Sequence, residues 1–161
     1  MATVAVGERA PGLALRGLDG QTYRLHEATG PVLAIFFKVS CETCRLAFPY
    51  FERLFQAYPQ GGWHLWGISQ DSASDSQAFV EEHGVTFPIL LDADWAISRA
   101  YDPEGVPTSF LIGPDAKVTR VVSAFQKVAL NELSATIAGD IGAEPAVIIP
   151  DDDPAPLFRP G

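Results

Sequence analysis

Cysteine is scarce: the 161 residues contain two. Both fall in one short run, Cys41-Glu42-Thr43-Cys44, and a pair so close cannot staple distant parts of a fold. A structural zinc site asks for four ligands, commonly two such pairs or one pair with two spaced histidines. His26, His64 and His83 are scattered without ligand spacing, so no metal is expected. Basic residues are also few, 11 Lys and Arg against 20 Asp and Glu, for a formal net charge of −9. Phosphate recognition draws on clustered cations, so neither nucleic acid nor an anionic membrane surface is expected as the main partner. Long apolar runs are missing too. The longest, Val32 to Phe37, is far short of the roughly 20 residues that cross a bilayer. The first residues, Met1-Ala2-Thr3-Val4, lack a basic start followed by an apolar block, so no signal peptide is expected. That favours a cytoplasmic setting, with an exported one if a leader has been removed. No glycine-rich phosphate loop is present, and no nucleotide cofactor is expected.

What is present is ample core material: 47% of residues are hydrophobic and 19% charged, the balance of an ordinary globular domain. Turn signals at Pro11-Gly12, Asp19-Gly20 and Gly30-Pro31 bracket a short hairpin, Leu13–Leu15 with Thr22–Leu25. Val32–Phe37 is apolar at every position and is expected as a strand buried on both faces. Ser40 suits a helix N-cap, and Leu46, Phe48, Phe51, Leu54 and Phe55 follow at helical spacing, with a kink expected at Pro49. A second buried strand covers Trp63–Ser69. Helices are expected over Asp71–His83, with Gly84 as its stop, and over Asp94–Tyr101. Ser109–Ile112 and Lys117–Ser123 form a hairpin across Gly113-Pro114-Asp115-Ala116, and Leu130–Ile141 is the last helix. This order gives an α/β fold with a central mixed β-sheet flanked by helices. Residues 1–142 make one domain. Residues 143–161, with Asp151-Asp152-Asp153 and five prolines, have the composition of a solvated acidic tail. Within it Ala146-Val147-Ile148-Ile149 can pack on the domain or add a strand to an edge.

The chemistry lies in the dithiol. It follows a buried strand and opens a helix, where unpaired N–H groups and about half a positive charge favour thiolate over thiol. Thiolate is the attacking species in disulfide exchange, so Cys41 is the expected nucleophile. Cys44, one turn on, is placed to resolve a mixed disulfide. The bland alternative is two core cysteines that happen to fall at this spacing. Lys38 can stabilise the thiolate as an opposite charge, or stand as a solvated lysine at a strand end. Glu42 acts the other way: a carboxylate beside the thiolate opposes the helix-terminus effect and biases the couple toward more reducing values. Trp63, Trp66 and Trp95 are expected in the core or lining a groove.

These residues resemble the thioredoxin superfamily, in its bacterial redoxin branch of AhpC/TSA type. Three features carry the likeness: the Cys41–Cys44 motif after a buried strand, Pro49 five residues beyond the second cysteine, and Gly105-Val106-Pro107-Thr108 before an apolar strand. It covers roughly residues 7 to 141, and the segment Asp71–Tyr101 is similar to the insertion that marks the branch. The resemblance implies a thioredoxin-like fold, a cis Pro107 lying against the dithiol, and a substrate groove shaped by Val106, Pro107 and Thr108. It implies a thiol–disulfide oxidoreductase acting on protein or small-molecule disulfides, with an upstream dithiol as reductant and no cofactor. Two departures stand out. Ser40 replaces the tryptophan usual before the first cysteine, and Ile35 replaces a buried aspartate that assists proton transfer.

A peroxiredoxin-like peroxidase is the alternative. Aligning Cys44 with a peroxidatic cysteine puts Phe37 where that motif has proline and Cys41 where it has threonine, and leaves Arg99 and Arg120 as unplaced guanidinium donors. A redox-inert adaptor is the third class, and it would be indifferent to oxidation or mutation of the cysteine pair.

Overall fold

The computed structural model describes residues 3–161. A seven-stranded mixed sheet runs in the order β2-β1-β5-β4-β3-β6-β7, built from β1 (Ala14–Gly17), β2 (Thr22–Arg24), β3 (Val32–Phe37), β4 (His64–Ser69), β5 (Ile89–Leu91), β6 (Thr108–Ile112) and β7 (Val118–Ser123). Strands β3, β4 and β5 are parallel, while β6 runs antiparallel to β3. The helices are α1 (Glu42–Ala57), α2 (Ala73–His83), α3 (Ala96–Tyr101) and α4 (Lys127–Ile141). A two-residue β8 (Phe125–Gln126) pairs antiparallel with β9 (Phe158–Arg159).

The unbroken apolar run of β3 is explained by its central place. Alternate side chains point to opposite faces of a strand. Leu33, Ile35 and Phe37 enter a core shared with α1, α2 and α4, and Ala34 and Phe36 enter a second one with Leu13, Tyr101 and Phe110. All six residues are buried. Ile35, at the position of the missing aspartate, is therefore a plain core residue. Gly67 on β4 leaves room for this packing: a Cβ there would come 2.6 Å from Ile89 Cδ1 and 3.2 Å from Phe37 Cε1, so these side chains would have to shift.

Several boundaries differ from the sequence-based expectation for identifiable reasons. Helix α1 runs from Glu42 to Ala57 with Pro49 inside it, and Phe48, Phe51 and Leu54 are buried in the core on either side. Helix α2 begins after Ser72, whose side chain accepts the Asp75 N–H at 3.1 Å, and Gly84 ends it at φ 63°. Helix α4 starts at Lys127, three residues before Leu130, because the Leu157 carbonyl accepts the Lys127 N–H at 3.0 Å. That acceptor lies thirty residues away in the chain and leaves no local signal.

The segment expected as a solvated tail is docked. Ile148 and Ile149 are buried, and the Asn131 side chain receives both of their N–H groups, at 2.9 and 3.0 Å, while donating to the Ile149 carbonyl at 2.9 Å. Ser134 donates to the Ala146 carbonyl at 2.6 Å. Farther on, the Asp153 carboxylate accepts from Tyr50 at 2.6 Å and from Arg53 at 3.3 Å, and these contacts hold its pKa below the ordinary carboxylate value. Lys127 donates to the Asp153 carbonyl at 2.9 Å. Asp151 and Asp152 remain exposed. The packing of Ala146–Ile149 on the domain, one of its two expected fates, is the one observed. Among the described residues, no helix is long and apolar enough to cross a membrane.

Candidate functional site

The turn between β3 and α1 is held from several directions. Asp71 accepts the Val39 N–H at 2.9 Å, and Arg45 Nε donates to the Val39 carbonyl at 3.1 Å. The Cys41 N–H reaches the Lys38 carbonyl at 3.2 Å. The helix cap is then Cys41 rather than Ser40, which is exposed. The Cys41 sulfur itself accepts the Cys44 N–H at 3.1 Å, the place a serine or aspartate oxygen usually takes at a helix start. A sulfur in that position faces the positive end of α1.

On its other side the Cys41 thiol donates to the Val106 carbonyl at 3.4 Å. The Val106–Pro107 bond is cis, as the resemblance implied. Val106 is half-buried, while Pro107 and Thr108 are buried. The Thr108 hydroxyl donates to the Gly105 carbonyl at 2.6 Å, so this residue closes the loop from behind rather than lining an open groove. Within this loop it is Val106 whose carbonyl meets the sulfur.

Cys44 is fully buried. Burial first, then its hydrogen bond with Cys41, pushes its thiol well above the ordinary value near 9. A buried thiol that keeps its proton is inert until something drives its deprotonation. The same shift has a consequence for stability. Folding raises this pKa, so its contribution is complete below the unfolded value near pH 9 and is lost as pH climbs beyond it. At most this amounts to about 1.4 kcal/mol per pH unit. In urea titrations above and below pH 9, the reduced protein should lose stability with a steeper slope than Cys44→Ala. Tyr23 and Tyr101, whose hydroxyls burial also pushes upward, add the same alkaline loss to both proteins and cancel in the comparison.

The two charged residues near the dithiol are deployed differently from one another. The Lys38 ammonium lies 5.4 Å from the ring centre of Trp95, a cation–π arrangement with a half-exposed tryptophan. Glu42 is 81% exposed and pairs with Arg159 at 2.9 Å. Three residues of the site left no trace in the sequence reading: Arg159, Pro160, whose carbonyl accepts from the buried Thr43 hydroxyl at 2.5 Å, and Gly161. Both hydrogen bonds span 117 positions, and no local pattern announces them. Trp63 and Trp66 are core residues at the opposite end of the sheet, at the start of β4.

For the peroxidase alignment, Phe37 is packed in the core, and the Arg120 guanidinium is engaged on α4 by Thr136 at 3.0 Å and Glu132 at 3.8 Å.

Residues 6–121 match the AhpC/TSA family. The chain is 31% identical over 123 residues to thiol-disulfide oxidoreductase ResA of Bacillus subtilis (strain 168), covering 75% of this chain and 69% of that protein. Among solved structures it is similar to a Chlorobium tepidum protein assigned as thiol:disulfide interchange protein DsbE, with 26% identity, a TM-score of 0.77, and coverage of 87% of this chain and 100% of that one. The peroxidoxin BcpB of Mycobacterium tuberculosis shares the fold at 23% identity and a TM-score of 0.72, over 84% of this chain and 97% of that one. The chain belongs to the AhpC/TSA family of the thioredoxin superfamily, and within it to the thiol–disulfide oxidoreductases.

Proposed function

We propose that the protein exchanges electrons with disulfides of proteins or small molecules by cycling Cys41 and Cys44 between dithiol and disulfide. The observation that carries this is the Cys41 sulfur capping α1 at 3.1 Å from the Cys44 N–H, with the half-buried Val106 backbone beside it. The Cys41 thiolate attacks one client sulfur, and the client's other sulfur leaves as a thiolate that takes up a proton. Cys44 then loses its proton and attacks the Cys41 sulfur. That releases the second client thiol and leaves a Cys41–Cys44 disulfide, with two electrons now on the client. An upstream dithiol then reduces the Cys41–Cys44 disulfide and becomes a disulfide itself, and the same path run backward oxidises a client. No cofactor enters either direction.

Val106 supplies backbone for an extended client segment to lie against, with Pro107 and Thr108 fixing its place. Glu42 biases the couple toward more reducing potentials, a bias that the Arg159 guanidinium opposes. Equilibration against a glutathione series tests the reading. It should show a reversible two-electron couple between about −270 and −200 mV. A value near about −120 mV would reverse the Glu42 argument, and no reversible couple at all would overturn dithiol exchange. Glu42→Gln should move the potential upward.

A further inference from the structure

The last residues of the chain lie across the site just described, and they are held in a different manner from the segment that leads to them. Residues 146–155 are anchored: Ile148 and Ile149 are buried, Asn131 serves three backbone groups, and Asp153 is bound by Tyr50, Arg53 and the Ala155 N–H. The Leu157 carbonyl still accepts the Lys127 N–H at 3.0 Å, and beyond that bond the hold becomes slight. Leu157 and Phe158 are 72% and 58% exposed, β9 pairs with β8 over two residues only, and the Arg159–Glu42 pair is open to solvent on both sides.

This lightly held end nevertheless reaches the chemistry. Arg159 meets the residue between the two cysteines, Pro160 meets Thr43 in the same turn, and Gly161 abuts Val106 so closely that a Cβ would fall 2.1 Å from the Val106 carbonyl oxygen. That oxygen is the one that accepts from the Cys41 thiol. Extended backbone laid along this edge is what a client segment would have to supply.

We propose that residues 157–161 are an own-chain occupant of the client groove, a strap that a client displaces by offering the same chemistry: extended backbone along Val106 and a cation opposite Glu42. The inference rests on the dithiol-exchange reading above. A firm anchor followed by a weak end suits such a strap, because the anchor keeps the strap's local concentration high while each contact stays easy to exchange. A cation on the client replaces Arg159 at Glu42, and a client carrying an acidic residue there meets like charge. The exposed Leu157 and Phe158 fit the same picture, since a segment placed only to complete the core would turn them inward.

The test uses the full chain with two substitutions that leave the cysteines and the anchor untouched. Arg159→Glu sets like charges against each other at Glu42, and Gly161→Val cannot sit on Val106. Two rates are read: alkylation of Cys41 by iodoacetamide on the alkaline plateau of its pH profile, where thiolate content no longer matters, and reduction of insulin by dithiothreitol through the protein. Both variants should speed insulin reduction by roughly two- to fivefold, the scale of losing one exposed ion pair, and speed alkylation by less, because a small reagent needs less of the groove. Unchanged or slower rates in both variants would overturn the strap. Paired peptide disulfides carrying Lys or Glu beside the cysteine test the client: faster reduction of the Lys peptide by Gly161→Val supports the Glu42 contact, and equal rates refute it. If neither the parent protein nor the variants reduce insulin, the dithiol-exchange reading fails, while the alkylation rates still decide whether the segment covers Cys41.

Discussion

Cys44→Ser should arrest the protein in mid-reaction. Mixed with a disulfide client, it should accumulate a covalent adduct through Cys41, visible on non-reducing gels and by mass, and its turnover should fall on the order of 100-fold or more. The expected size follows from the loss of an oriented intramolecular nucleophile, which bimolecular rescue by free thiol cannot match. The contacts separate this effect from a folding defect. The Cys44 group that the α1 cap engages is its backbone N–H, which donates to the Cys41 sulfur, and serine retains it. The complementary variant, Cys41→Ser, should form no adduct and show no turnover. It too should fold, because serine is among the preferred N-cap residues and its oxygen can take the N–H that the sulfur now accepts. A Cys44→Ser protein that turned over at the parental rate would mean that Cys41 acts alone, as in one-cysteine peroxide chemistry.

Much of this architecture was legible in the sequence because it rests on local pattern. The six apolar residues of β3, the helical recurrence of Phe48, Phe51 and Leu54, and the Gly84 stop each state their environment within a few positions. The dithiol was legible for the same reason: motif, preceding strand and following helix are contiguous. What escaped was set by tertiary contact. Ser40 is a sound N-cap by type, yet the chain turns one residue later, with the Val39 N–H committed to Asp71. Lys38 carries the right charge for the sulfur, but Trp95 enters α3 at φ 62° and offers its ring instead. Composition was the weakest guide at residues 143–161. Proline and aspartate there mark the absence of regular structure, and say nothing about whether side chains elsewhere will satisfy the backbone. Asn131 and Lys127 do so, as does Ser134.

That docking changes the electrostatics expected at the dithiol. Glu42 alone would penalise a neighbouring thiolate, but its partner Arg159 brings a compensating charge at 2.9 Å. Exposed pairs of this kind are worth little in stability and are screened by salt. Raising ionic strength therefore weakens the pair and the Glu42 penalty together, and the strap and the potential are joined through one carboxylate.

The largest stability loss is expected at Phe48. This residue is fully buried one turn beyond Cys44, and its ring meets Phe37, Phe79, Phe51 and Phe87 at centroid distances of 4.5, 4.9, 5.6 and 5.7 Å. Four partners drawn from β3, α1, α2 and the approach to β5 cannot all close on the space that alanine would leave, so the cavity persists rather than collapsing. Phe48→Ala should therefore cost about 3–5 kcal/mol, a large share of the roughly 5–15 kcal/mol that holds a domain together. Urea unfolding of the reduced protein measures it directly. Phe48→Leu, which keeps most of the volume but none of the edge-to-face geometry with Phe51 and Phe79, should lose distinctly less. The cavity in Phe48→Ala also lies beneath the turn that carries Cys44, and the burial that holds this thiol protonated depends on the packing there. A variant that still folds should therefore resolve mixed disulfides with an altered pH dependence, its Cys44 losing its proton at lower pH than in the parent. If Phe48→Ala unfolded at the parental midpoint, the aromatic cluster would not be what fastens α1 and its dithiol to the sheet.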